Sequence, residues 1–501
     1  MSTILSCNKT NQHKSFDKIT LADISRKTKS SKVFNDSLEF ISLIIDSNDL
    51  YGKKGIVTNF QEHGRNWEKP VKLIWYQNGT EIQNINAGLR LKGNSGRSSE
   101  SLESNKAVKI HFRKEYSKKK FNYFENNKNK LPYLLEKLTL RKTWNSAEEV
   151  AYLIHKKLKA STNLSRPIGL FVNGEYFGLY SMLDAQHAKN FKSSSKNKFI
   201  YYRYRYENNN FTSIAYYKKL DKLVYSSNED DKLLKKIYKS IPIPGFETMQ
   251  KMTFDKINRI VNIESLSRQI AASIFVGNSD WNQGVLIRKF ESKDTRYFWQ
   301  MADLDNSFLD IKGGVKARDA IYPWDQESIE LVTNGYGGIR SKIFTRLLKE
   351  DSLYSEYFID LMFNILNHEL DSSYLKRTVD YYVEVSEKYS RPNLKEFDYQ
   401  INEFVQKRPN FVRKRLIEYF KKDSLYKITI QAADTIEYEI NGHLIKGDFK
   451  GIYYSGQRFQ IKIPKIYTAV SKLKTTKADD TTILIYEINR NDKIQIIQNL
   501  F

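Results

Sequence analysis

From LEFISLIID onward, apolar and polar residues alternate over short runs, the period-two pattern of strands. KPVKLIWYQNGTEIQNINAGLRLKG predicts two strands joined at Asn78-Gly79, a residue pair suited to a two-residue hairpin turn. NKAVKIHFRKEY predicts another strand, and RPIGLFVNGEYFGLYSMLD a second hairpin, on Asn173-Gly174. Between them the period changes. In residues 146–161, Val150, Leu153, Ile154 and Leu158 form a helical stripe, and Ser146 with Glu149 three residues on makes a capping box. Beyond residue 210 the pattern predicts a mostly helical region. NIESLSRQIAASIFVG is followed by helices at about 326–350, 353–369, 373–390 and 397–422. Strand periodicity returns over 425–501, in YKITIQ, IEYEING, FKGIYYSGQRFQIKIP and TTILIYEI.

These patterns divide the chain. The polar Lys/Ser/Asn-rich residues 1–35 predict a disordered tail or signal remnant. Residues 36–424 form the main domain, β-rich over 36–185 and helical over 186–424, and 425–501 a small antiparallel β domain. With 501 residues, 40% of them hydrophobic, the chain can bury a large core. Its formal charge of +24 attracts anions, but the lysines are spread along the chain. A nucleic-acid-binding reading would rest on that charge alone and is set aside. The one cysteine, Cys7, excludes an intrachain disulfide framework. No run approaches the roughly 18 apolar residues of a membrane span. MSTILSCNKTNQHK resembles the end of a bacterial lipoprotein signal, with Cys7 as the acylation site, although the charged start and most of the apolar region are missing. The expectation is a lipid-anchored cell-surface protein if Cys7 belongs to such a signal, and a cytoplasmic one otherwise.

The most informative stretch is VGNSDWNQGVLIRKFESKDTRYFWQMADLDNSFLD. VLIRKF and RYFWQMADL read as antiparallel strands, with Asp280 just before the first and Asp303 and Asp305 at the end of the second. Alternation puts Asp303 and Asp305 on one face, and an up-and-back path brings Asp280 close to Asp303. Carboxylates gathered in this way repel one another unless a cation, a basic group or a shared proton intervenes. Mg²⁺ or Mn²⁺ fits, because hard cations take oxygen ligands, and no His/Cys cluster offers a zinc site. Phosphoryl transfer supplies a template: one aspartate meets the substrate hydroxyl and a second, beyond a hairpin, holds metal on the phosphates. LKGNSGRSS (91–99), with Gly93, Asn94 and Ser95, is a small-residue loop whose amides could cradle phosphate. Lys106 follows on the next strand, where Glu148 or Glu149 of the helix could pair with it.

AGLRLKGNSGRSS, NKAVKIHFRKEY, LTLRKTWNS, LFVNGEYFGLYSMLD, FVGNSDWNQG and FWQMADLDNSF, in this order, resemble the spore-coat CotH kinase family over about residues 55 to 420. The resemblance implies a divergent protein-kinase-like two-lobed α+β fold and an activity that uses ATP with a divalent metal to phosphorylate protein Ser/Thr. It places Asp280 at the family's catalytic-loop aspartate and Asp303, completed by Asp305, at the metal-binding motif. Lys106 matches the basic residue of the third strand motif, and Arg90 the arginine before the small-residue loop. Tyr297 stands where the family usually carries tryptophan near the adenine. The small C-terminal β domain resembles an appendage common in these proteins.

Two positions depart from the family pattern. The asparagine usual four or five residues after the first aspartate, a second metal ligand in kinases, is replaced by Gly284 and Val285, with Asn282 or Gln283 as substitutes. The acidic residue after the GLY strand, normally Glu, is Asp184. The leading reading is therefore an ATP- and metal-dependent kinase. The alternative is a catalytically weak surface or coat binding module. A D-x-D nucleotide-sugar transferase is a lesser third, which predicts a parallel α/β sheet near the N-terminus.

Overall fold

The computed structural model describes residues 38–498 except 94–95, 106, 125–132, 143–146, 185–198, 208–209, 218–221, 227–252, 279–280, 282–283, 290–293, 295, 302–303, 306, 309–323, 334–338, 390–394, 465–466, 471–474 and 479–480. Asp280, Asn282, Asp303, Lys106, Asn94 and Ser95 lie outside the described residues, as do the N-terminal tail with Cys7 and the capping Ser146. The chain divides into two compact units, residues 1–143 with 166–194, and residues 144–165 with 195–501.

In the first unit, β1 (Glu39–Ile44) is followed by the short α1 (Ser47–Tyr51). The strands β2 (Lys69–Gln77), β3 (Thr80–Lys92), β4 (Ala107–His111), β5 (Lys137–Lys142), β6 (Ser165–Val172) and β7 (Glu175–Asp184) complete its main sheet. These strands close into a barrel in the order β1-β2-β3-β4-β5-β7-β6. Both hairpin turns are the expected ones: Asn78 and Gly79 have φ of 48° and 71°, Asn173 and Gly174 of 49° and 84°. Positive φ at both central residues matches the right-handed twist of the flanking strands. Ile41, Leu43, Leu73, Leu89, Ile110, Leu138 and Met182 are fully buried. The ring is completed where β1 runs parallel to β6, with Phe40 opposite Gly169. A Cβ at residue 169 would stand 2.5 Å from the Phe40 ring, so only glycine permits this approach.

The expected protein-kinase-like two-lobed fold is not what the chain adopts. Its N-terminal half is a closed seven-strand barrel, with helices in the C-terminal half. Periodicity reports which residues alternate, and it carries no signal for the long-range pairing of β1 with β6 that removes the sheet's free edges.

The second unit begins with α2 (Ala147–Lys157). The mostly helical region expected beyond residue 210 instead opens with strands. β8 (Phe199–Glu207), β9 (Asn210–Tyr217) and β10 (Lys222–Ser226) join β11 (Gly284–Lys289) and β12 (Tyr297–Met301) in a sheet ordered β10-β9-β8-β11-β12. The Tyr-, Ile- and Phe-rich composition of 199–217 favours a pleated surface over a helix. Between the two groups of strands lie α3 (Phe254–Ile260) and α4 (Ile263–Val276). Leu266, Ser267, Ile270, Ala271, Phe275 and Val276 are at most 1% exposed, so α4 is buried on nearly every side. Then come α5 (Ser328–Thr333), α6 (Ile339–Glu350), α7 (Ser352–Asn364), α8 (Ser372–Tyr389) and α9 (Lys395–Tyr419), with a π turn over Ile365–Glu369 after α7. Among the described residues no helix is long and apolar enough to cross a membrane.

Residues 425–498 form sheets of four and five strands around a core that includes Ile428, Ile430, Tyr438, Phe459, Ile461 and Ile494. They are not wholly antiparallel, because Leu425–Ala432 runs parallel to Asp492–Gln498. The π turn aims Asn367 at an edge of this sandwich. Its side-chain amide donates to Ile452 O (2.8 Å), and Ile452 N–H donates back to its Oδ1 (3.1 Å). Asn367 thus pairs with the edge as a neighbouring strand would.

Candidate functional site

The two acidic motifs flank a hairpin whose register is now visible. β11 and β12 are antiparallel, with Gly284 opposite Met301 and Val285 opposite Gln300. Gly284 comes four residues after Asp280, and Met301 two before Asp303. The two approaches to the aspartates therefore leave one end of one ladder, where paired Cα atoms are about 5 Å apart. β12 is anchored on both sides of that register. Asn262 N–H donates to Tyr297 O (2.7 Å), Met301 N–H to Ser161 O (2.8 Å), and Gln300 Nε2 to Thr162 O (2.9 Å).

The helix before Asp280 ends in an ordered way. Asn262 caps α4 by accepting from Ser265 N–H, and Gly277 terminates it in the left-handed region at φ 59°. A Cβ on Gly277 would lie 1.8 Å from Gln326 Oε1. Asn278 and Trp281, on either side of Asp280, are 0% and 1% exposed, and Trp281 N–H donates to Asn278 O (3.3 Å). Beyond β12, Leu304 is buried and Asp305 half-buried, and a turn closes with Ser307 N–H on Leu304 O (3.2 Å). Phe308 then adopts φ 62°, rare for a bulky residue. Its N–H donates to Val276 O (2.6 Å), and its buried ring meets Phe404 edge-on at 4.9 Å. The segment after the D-x-D is thereby fastened to the end of the helix that precedes Asp280.

Other predicted residues have structural partners. Arg90 donates from Nε and Nη2 to His111 Nε2 (3.0 and 2.8 Å) and lies 3.3 Å from Glu68. Arg113 grips the same buried Glu68 with two bonds, of 2.7 and 3.0 Å. Burial first, and then the Arg90 charge, push His111 far below its ordinary pKa, so it is neutral and accepts at Nε2. Gly93 sits at φ 97° in the loop after β3. Arg97, which the sequence pattern does not single out, holds that loop, donating to the carbonyls of Phe60, Glu62, Leu91 and Gly93. An arginine inside a Gly/Ser turn was the available signal. Asp184 is buried at the end of β7 and accepts from Tyr133 Oη (3.0 Å). In the second unit Glu149, 1% exposed on α2, accepts from Ser165 Oγ at both oxygens (2.8 and 2.9 Å). Tyr297 is 1% exposed within β12.

No three His, Cys, Asp or Glu side chains are grouped as metal ligands among the described residues, a set that excludes Asp280 and Asp303. The donor chemistry of the motif, carboxylate oxygen throughout, suits a hard divalent cation. Val285, one of the two positions for the usual asparagine, is 1% exposed inside β11 and offers no donor atom.

A protein-family model described as "CotH kinase protein" matches residues 89–426, well over half of the chain and including both acidic motifs. No curated protein matches the sequence.

Proposed function

The chain belongs to the CotH kinase family, and on that premise we propose that it transfers a phosphoryl group from ATP to Ser or Thr of a protein. Asp280 accepts the proton of the attacking hydroxyl. Asp303 and Asp305 hold Mg²⁺ or Mn²⁺, and Asn282 supplies the ligand that Gly284 and Val285 lack. The hydroxyl oxygen forms the new bond to the γ-phosphorus as the bond to the ADP oxygen breaks. Bound metal neutralises charge on the transferring group. Lys106 and the Gly93-Asn94-Ser95 loop are the nucleotide-binding candidates of the first unit. Arg90, Asp184, Glu149 and Tyr297 act in this reading by fixing the strands and helix that carry them, since their described partners are protein groups.

The observation that carries the reading is the ladder end at Gly284 and Met301, closed by Phe308 on Val276. It lets two carboxylate-bearing segments meet at one place. One observation favours the weak or inactive binding module: buried Val285 cannot ligate a metal. The nucleotide-sugar transferase reading loses its main expectation, because β1–β2, β2–β3, β3–β4, β4–β5 and β5–β7 are all antiparallel. Calorimetric titration with ATP tests the site. Binding that requires Mg²⁺ or Mn²⁺ and is lost in Asp303→Ala supports it, whereas metal-independent binding unchanged by Asp303→Ala contradicts it.

A further inference from the structure

The end of α4 leaves four carbonyls without partners inside the helix, as every helix end does. Each can be traced. Ser273 O accepts from the N–H groups of Gly277 and Asn278, and Val276 O from Phe308 N–H. Ile274 O and Phe275 O accept from the guanidinium of Arg408, on α9, at 2.7 and 3.0 Å. The same guanidinium donates to Trp324 O (2.8 Å), Gln326 O (2.7 Å) and Ser328 Oγ (2.5 Å). All five of its N–H groups are used, and all on neutral oxygens. Arg408 is 1% exposed, and its cation lies 5.4 Å from the ring centroids of both Phe404 and Phe411, on its own helix. Phe404 also holds the Phe308 ring.

A buried cation hydrogen-bonded to no carboxylate is costly even with the charges of Glu327 and Asp325 nearby, and a core helix needs none to pack. Here its position explains it. A cation at a helix C-terminus answers the negative end of the helix dipole. The planar fork of arginine spans several carbonyls at once, which a lysine cannot do. Burial pulls its pKa down to about 9, which leaves it charged at neutral pH.

We propose that Arg408 is a positioning residue. Through the carbonyls of Ile274 and Phe275, and through Phe404 and Phe308, it fixes the end of α4 against the Asp305 turn and so sets the metal-holding carboxylates relative to the segment that enters Asp280. This rests on the proposed function for its consequence, but its structural claim can be tested apart from catalysis.

The test uses the full chain with Arg408→Lys and the milder Ser328→Ala, which removes one of the five acceptors. Two quantities are measured: amide hydrogen exchange, and Mn²⁺ affinity in the presence of ATP, from the spin-resonance signal of free Mn²⁺. In Arg408→Lys, exchange within 276–281 and 304–308 rises at least tenfold while that of 428–463 stays at the wild-type rate. Mn²⁺ binds at least tenfold more weakly. Ser328→Ala shifts both in the same direction by less. Wild-type exchange in both segments, or a uniform rise across the chain, overturns the proposal, as does unchanged Mn²⁺ affinity despite local loosening. If the wild type binds no Mn²⁺, the metal reading fails and the exchange pattern alone decides. If Arg408→Lys does not fold, Ser328→Ala decides by the same criteria.

Discussion

The backbone N–H of Phe308 donates to the carbonyl of Val276 across 2.6 Å, joining the residue five after Asp303 to a residue four before Asp280. The bond exists because Phe308 accepts a left-handed backbone at φ 62°, a conformation that costs a bulky residue about 1–2 kcal/mol. Its ring, fully buried against Phe404, offsets that cost.

Replacing this residue separates the two contributions. Phe308→Ala loses the buried ring and destabilises the protein by about 3 kcal/mol. Phe308→Gly loses the same ring but relaxes the backbone, so it is no less stable than Phe308→Ala. Denaturant unfolding of the pair checks this. A glycine variant weaker by about 1 kcal/mol, as at an ordinary helical or strand site, would show that φ is not the constraint.

Gly277 presents the reciprocal case. Gly277→Ala introduces both an unfavourable φ and a collision with Gln326 Oε1. It destabilises by about 2 kcal/mol, of which about 1 kcal/mol is the backbone contribution. In a Gln326→Ala background only the backbone part remains, so a double-mutant cycle gives a coupling of about 1 kcal/mol. Strict additivity would show that the collision contributes nothing.

His155 and His368, together with His111 and His443, set an acid limit on stability. His155 is fully buried, donates from Nδ1 to Ala151 O, and is held by burial at about 4. His368 is stacked between His443 and Phe449 and is pushed down to about 3 by burial first and then by His443. An unfolded histidine titrates near 6.5. Between these values the unfolded chain binds more protons than the folded one, so stability rises with pH and is lost as pH falls below about 6.5. Each histidine contributes at most about 2 kcal/mol of loss between pH 7.5 and 5. His368→Phe keeps a flat ring in the stack and removes the proton, so its loss over that interval is smaller than that of the wild type. Equal losses would place the acid sensitivity elsewhere.

Val285→Asn places the family's usual residue type at a buried strand position. It destabilises by about 2 kcal/mol through an unsatisfied amide and does not raise phosphoryl transfer. Asn282→Ala, in contrast, lowers transfer far more than it weakens nucleotide binding. If Val285→Asn accelerates transfer, the second ligand position has been misassigned.

Local features were legible in the sequence wherever one element declared itself. Asn78-Gly79 and Asn173-Gly174 turn as their residue types require. The hairpin of β11 and β12 lies where VLIRKF and RYFWQMADL alternate. The barrel was not legible, because Phe40 opposite Gly169 is a pairing between distant segments with no local pattern. The strands at 199–226 were readable from their aromatic composition, but the long helical periodicities downstream of them dominate the pattern of that half of the chain. At the site, acidic residue types in a hairpin frame drew attention to Asp280 and Asp303. Nothing in the sequence around Arg408 tells a buried, carbonyl-binding arginine from a solvated one, and for half-buried Arg97 the one cue is its place inside a Gly/Ser turn. In a chain of +24 charge, a basic side chain is the least conspicuous residue to serve as an anchor.

The central claim is that the two acidic motifs act as one phosphoryl-transfer site. The most direct measurement is transfer of radiolabelled γ-phosphate from ATP to protein, itself included, with Mg²⁺ or Mn²⁺, comparing the wild type with Asp280→Asn and Asp303→Ala. The account predicts metal-dependent label in the wild type, loss of at least a hundredfold in Asp280→Asn with nucleotide still bound, and loss of both transfer and binding in Asp303→Ala. Tight metal-dependent binding with no label on any protein in the wild type, or label that survives both substitutions, would contradict it.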